Sequence, residues 1–251
     1  MKQAVHKLNR SRSLHQVVVI GCGGTGSTLV GGLPLLQQAL QAAGHPGLQV
    51  IVADGDKVSP TNCVRQPFSE SEIGLYKSVV LVNRINLFWG LTWQASTEYV
   101  TRNTQGRADI IISCVDSRTA RLEITKSPIF KRCVYWLDLG NNASSGQFVL
   151  GQPKSDRNRK TPGRLPTVAE RFPEIVNPLL DSGDDLPPCS AVEALDRQEP
   201  FINQVLAYQA LAMLAHLFRH GEIRYHGGFI NFESGRMSPL KIGSCNRNLP
   251  K

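Results

Sequence analysis

Six residues, Gly21-Cys22-Gly23-Gly24-Thr25-Gly26, constrain this chain more than any other stretch. They fit G-x-G-x-x-G and follow the apolar run QVVVIG at 16–21, which reads as a buried parallel strand. A helix is expected over 25–43, stopped by Gly44. Pro34 lies inside it, and an interior proline costs about 3 kcal/mol, so a kink or break is expected there. Glycines at such a turn let the backbone approach phosphate, and the helix start offers free N–H groups to an anion. The motif alone says nucleotide or dinucleotide and leaves room for a tight turn with no ligand. No G-x-x-x-x-G-K-[ST] occurs, which excludes a P-loop.

Beyond the turn, strands are expected at 48–54, 93–100, 109–115, 133–140 and 147–151, with helices over 74–88 and 117–124. This alternation predicts an α/β fold: a Rossmann-like, doubly wound, mainly parallel sheet with helices on both faces. From 152 to 188 the chain turns rich in Pro, Arg, Lys, Asp and Gly and reads as a mobile crossover excursion with one short helix near 168–171. A long helix over 190–220, stopped by Gly221, and a closing β-hairpin (224–232 and 237–242, turning at Ser234-Gly235) complete it. The domain is expected to span 16–251 behind a basic arm, 1–15.

Asp54, at the end of the second strand, would place a carboxylate on a ribose hydroxyl. The cations that follow favour a triphosphate over a dinucleotide. Arg65 can chelate phosphate oxygens and Lys77 adds a point charge. Asp116 ends the strand DIIISCV, where ligands of open α/β sheets bind, and one carboxylate with phosphates and water is a normal magnesium arrangement. Arg121 follows on the next helix.

These motifs, in order, resemble the ThiF/MoeB/ubiquitin-activating-enzyme superfamily. They are the glycine turn, Asp54-x-Asp56, Thr61-Asn62-x-x-Arg65-Gln66, Ile73-Gly74-x-x-Lys77 and Asp116-Ser117-x-x-x-Arg121. The block PPCSAVEALDRQEPFINQVLA is most similar to the ThiF-related proteins of PRTRC-type cassettes. The resemblance implies that ATP lies on Gly21, Gly23, Gly24 and Gly26, with Asp54 on the ribose. Asp56, Thr61, Asn62, Arg65, Gln66, Lys77 and Ser117 surround the phosphates, and Asp116 binds Mg2+. It further implies adenylation of the C-terminal carboxylate of a ubiquitin-like or other small protein. It also implies a homodimer in which an arginine reaches the neighbouring site; Arg10 and Arg12 are the candidates. The chain departs from the common pattern with Thr61 for Ser, Cys63 for Leu and Ser117 for Asn. The paired C-x-x-C ligands of many members are missing, so no zinc is expected.

Cys189 precedes a capping box, Ser190-x-x-Glu193, and helix starts lower thiol pKa values, whereas Asp184 and Asp185 push the other way. By the resemblance it is the nucleophile that takes the acyl group as a thioester; the other reading is a small buried residue at a helix start. Cys22, Cys63, Cys114 and Cys133 read as packing residues. The net charge of +8 gathers in the arm and in 154–164. It reads as two solvated segments, since no zinc-finger or RNP-type signature points to nucleic acid. No run of about 18 apolar residues and no secretory leader is present, which predicts a cytoplasmic protein. Two other function classes stay open: an NAD-dependent oxidoreductase, which leaves Arg65, Lys77 and Asp116 without a task, and a non-catalytic nucleotide-binding scaffold.

Overall fold

The computed structural model describes residues 4–8, 15–181, 199 and 201–243. Its centre is one eight-stranded sheet. The parallel strands β2 (Gln16–Ile20), β3 (Gln49–Ala53), β4 (Gln94–Ser96), β5 (Ile110–Ser113) and β6 (Tyr135–Asn141) occur in the order β6-β5-β2-β3-β4. Three antiparallel strands, β7 (Ser145–Gly151), β9 (Tyr225–Asn231) and β10 (Arg236–Lys241), extend the β6 edge. A separate ribbon pairs β1 (His6–Lys7) with β8 (Glu222–Ile223). The chain runs from β2 outward to β3 and β4, then returns past β2 to β5. That reversal opens a crevice at the carboxyl ends of β2 and β5, the usual ligand position of such sheets.

The strands are apolar on both faces because both are covered. Val17, Val19, Val50, Val52, Ile110 and Ile112 pack with α1 (Gly24–Ala42), α3 (Lys77–Trp89) and α6 (Ile202–His220). Their neighbours Val18, Ile20 and Ile111 join Trp136, Ile124 of α4 (Arg118–Lys126) and Val168 of α5 (Val168–Arg171) on the other face. The doubly wound α/β reading thus holds, as does the closing hairpin, whose Gly235 turns at φ +63°.

Three expectations change. Helix α1 runs through Pro34 without a break. The proline is itself buried, as are Leu29, Leu33, Leu36 and Leu40, so packing offsets one missing hydrogen bond. The strand expected over 93–100 shrinks to three residues. Among the described residues it has a partner on one side only, and the carbonyl of Ser96 turns to the Asp54 amide (3.1 Å) and the Ser78 hydroxyl (2.9 Å). The excursion from 152 is packed as far as Phe172: Leu165, Val168 and Phe172 are buried, and a Thr167–Glu170 capping box opens α5. The long helix is described from Ile202 and ends at Gly221, as expected; the part placed at 190–198 and 200 lies outside the described residues. No helix among the described residues is long and apolar enough to cross a membrane.

Candidate functional site

The glycine turn joins β2 to α1, and each glycine meets a different constraint. Gly21 has φ +93°, and its amide bonds the Ala53 carbonyl at 2.9 Å. A Cβ on Gly26 would lie 1.9 Å from the Gly21 carbonyl oxygen, so the helix packs on the turn only without one. A Cβ on Gly24 would strike the Asn203 side chain at 2.5 Å. Gly23 is different: a Cβ there would meet nothing within 4 Å. It is the N-cap of α1, a 19-residue helix with no side-chain cap and no acid in its first turn. Open space in front of helix-start amides that no side chain caps fits a phosphate.

Asp54 is buried beside this turn, and its carboxylate accepts the amides of Cys22 and Asp56 (2.7 Å for the second). It shapes the turn with both oxygens, and each retains a lone pair for a ribose hydroxyl. Burial raises its pKa, with the two amides opposing. Asp56 is half-exposed and carries two donors, Lys77 Nζ at 3.0 Å and the Tyr99 hydroxyl. Partial burial pushes its pKa up, but the bonds from Tyr99 and Lys77 outweigh it and the net shift is downward. Lys77 is buried, and its ammonium charge acts on Asp54 and on Cys22 within the glycine turn.

The loop between β3 and α3 owes its shape to pairing of its two ends. The Lys77 amide bonds the Asp56 carbonyl (3.0 Å), Val58 N bonds Leu75 O (2.8 Å) and Gly74 N bonds Val58 O (2.9 Å), with Gly74 at φ +90°. This accounts for the spacing of Asp54-x-Asp56 and Ile73-Gly74-x-x-Lys77. Between them, one helical turn, α2 (Asn62–Arg65), carries Asn62 and Arg65 and is flanked by Thr61 and Gln66. Asn62 is partly committed to the loop itself, since its Oδ1 accepts Ser59 N at 2.9 Å. The Thr61 hydroxyl lies 3.0 Å from that of Ser59. The Gln66 Oε1 is buried with no hydrogen-bond partner among the described residues.

Asp116 is exposed just beyond β5. Among the described residues no three His, Cys, Asp or Glu side chains gather into a metal cluster. One hard carboxylate suits magnesium, which keeps waters and phosphate oxygens as its other ligands. Ser117 is the N-cap of α4, its hydroxyl accepting Ala120 N at 3.1 Å, which explains why a hydroxyl residue serves there. Arg121 is not at the site. It is buried against Asp138 (Nε to Oδ1, 3.0 Å) and donates to the carbonyls of Asp116 (3.4 Å) and Leu139 (3.2 Å). Asp138 also accepts the Ser113 hydroxyl at 2.6 Å, which in turn accepts Trp136 Nε1 at 2.6 Å.

Several residues escaped the sequence reading. Tyr99 stands among Asp54, Asp56 and Asp116, and its pKa is pushed up to about 12, chiefly by the bond to Asp56. Thr25, Asn141 and Asn203 join the turn to β6 and α6, with Thr25 Oγ1 donating to Asn203 Oδ1 at 2.7 Å. Asp138 had a signal, a lone acid in the strand YWLDLG; Tyr99 had none. Burial drives the thiols of Cys22, Cys114 and Cys133 upward, Cys133 to about 12. Cys189, Arg10 and Arg12 lie outside the described residues.

The ThiF family model matches residues 2–248. The chain belongs to the ThiF family. Solved structures with the same fold include PaaA (TM-score 0.60, 17% identity) and Escherichia coli MccB with bound ATP (TM-score 0.53, 18% identity). A third is the microcin C7 biosynthetic enzyme MccB in complex with N-formylated MccA (TM-score 0.56, 17% identity). These alignments cover 91%, 92% and 91% of this ThiF-family chain and 64%, 64% and 65% of the neighbours, so it spans just under two thirds of their length. A search of curated proteins finds no match to the sequence.

Proposed function

We propose that this ThiF-family chain adenylates the C-terminal carboxylate of a small protein or peptide, ubiquitin-like proteins included, at the expense of ATP. The observation that carries the reading is Lys77, a buried ammonium whose charge reaches both the glycine turn and Asp54. A dinucleotide has no special need for that charge, whereas a triphosphate does. The solved structures of MccB with ATP and in complex with N-formylated MccA support a nucleotide and a second bound partner.

In this reading the phosphates lie before Gly23, and Asp54 accepts a ribose hydroxyl. Thr61, Asn62, Arg65 and Gln66 line the polyphosphate with Lys77. A substrate carboxylate oxygen attacks the α-phosphorus, the bond to the bridging oxygen breaks, and pyrophosphate leaves with the negative charge. Lys77 and Arg65 meet that charge as it builds. Asp116 would hold a magnesium ion, which supplies further charge neutralisation on the phosphates. If Cys189 acts, its thiolate attacks the acyl carbonyl and AMP leaves, giving a thioester. A homodimer and a cytoplasmic setting go with the proposal.

Calorimetry provides the first test. The wild type is expected to bind MgATP well above NAD, and Lys77→Ala to weaken MgATP by tenfold or more. Preference for NAD would return the chain to the oxidoreductase class. MgATP binding without ATP–pyrophosphate exchange on any supplied C-terminal peptide would favour a nucleotide-binding scaffold.

A further inference from the structure

Helix α6 carries two histidines that neither the core nor the adenylation scheme uses. Its apolar stripe buries Met213, Leu214 and Leu217, while His216 and His220 are exposed. Residues four apart share a helix face. Here the two imidazole rings meet, with centres 4.4 Å apart and planes inclined at 43°. Hydrophobic burial gives no reason for the pairing, since both residues are exposed. The pair sits in the last turns of the helix, which ends at Gly221, where the helix dipole favours positive charge. It lies about 20 Å along the helix from Asn203, which bonds Thr25 of the glycine turn, so it is separate from the nucleotide crevice.

The separation of the rings fits one shared cation. Imidazole nitrogens bind late first-row ions at about 2.0–2.1 Å, which places the ion about 3.2 Å from the ring centre. Two rings on one ion then have centres about 4.5 Å apart at a right angle and about 5.2 Å apart at the tetrahedral angle. The observed 4.4 Å matches the right angle. Neighbouring ligands at right angles belong to tetragonal and octahedral ions, Ni2+ and Cu2+ among them, rather than to tetrahedral Zn2+. We infer that His216 and His220 chelate a divalent nickel- or copper-type ion on the surface of α6. Among the described residues no third His, Cys, Asp or Glu joins them, so water fills the remaining positions. The site takes up its ion without the closed ligand shell of a structural metal centre.

The test is calorimetry with nickel chloride on the full chain without an affinity tag, beside His216→Gln and His220→Gln. Losing an outer partner of a metal ligand typically costs about 10–100-fold in affinity, so losing a ligand itself should weaken Ni2+ by at least about tenfold in either variant. Ni2+ should also raise the urea midpoint of the wild type by more than that of either variant. Without metal all three should unfold at nearly the same urea concentration, because both positions are exposed. Each variant keeps every thiol and every other histidine, so a loss common to both assigns the ion to the pair. Wild-type Ni2+ affinity in either variant would overturn the inference, because chelation needs both rings. Zn2+ bound more tightly than Ni2+ would overturn the right-angle geometry and the class of ion with it.

Discussion

Arg121 and Asp138 carry opposite charges into the interior, where their side chains are 5% and 0% exposed. Burial raises the Asp138 pKa, and the Arg121 charge and the Ser113 hydroxyl oppose it. Such a pair gives little net stability, but losing one partner strands the other charge at a cost of about 3–5 kcal/mol. Arg121→Met and Asp138→Leu should each lower the urea-unfolding free energy by roughly that amount. The double variant should recover most of the loss. Additive losses would show that the two groups act separately. From sequence alone Arg121 was one member of the motif Asp116-Ser117-x-x-x-Arg121 with no partner assigned, because spacing reveals proximity to Asp116 along the chain but not which way a helix faces. The glycine turn and Asp54 were legible because their chemistry needs particular residue types at particular positions. Tyr99 was not, because it reaches the site through strand order rather than through a motif.

At the scale of elements, parallel strands were easy to find since both faces are buried and the runs are continuously apolar. Segment 152–181 was the hardest. Its composition reads as mobile, yet it lays Val168 and Phe172 against the face of the sheet that carries Trp136 and Phe229, and buries Leu165 in the other core cluster. Some of its charges are spent within the segment, while Arg157 pairs with Asp109 and Asp181 with Arg118. Arg164 pairs with Glu170 at 2.6 Å, and the Glu170 pKa falls to about 2 because the bonds from Arg164 and Thr167 outweigh partial burial. Three apolar anchors spread among many polar residues give no period, so periodicity could not find them. Phe172→Ala discriminates: a packed segment loses about 3–5 kcal/mol in urea unfolding, whereas a mobile one loses almost nothing. A loss below about 1 kcal/mol would return 152–181 to the excursion read from its composition.

The whole molecule joins a nucleotide-type parallel half to an antiparallel half, and two buried histidines sit where added pieces meet the core. His6 in the β1–β8 ribbon bonds the Tyr135 hydroxyl at 2.8 Å, tying the ribbon to β6. His226 in β9 donates from Nδ1 to the Leu150 carbonyl of β7 at 2.7 Å. The ribbon was not legible in the sequence because two-residue strands carry no alternation. Burial lowers both histidines from 6.5 to about 4. Above pH 6.5 they are neutral folded or unfolded and contribute no pH dependence. Between pH 6.5 and about 4 the unfolded chain takes up protons that the folded chain refuses, so stability falls as the pH falls, by up to about 1.4 kcal/mol per unit for each histidine. His226→Asn keeps an N–H donor for Leu150 but cannot titrate. Unfolding free energies measured from pH 8 to 4 should run parallel for the two proteins above pH 6.5 and diverge below it, the wild type losing more. Parallel curves throughout would mean that His226 takes up its proton in the folded sheet as readily as in the unfolded chain.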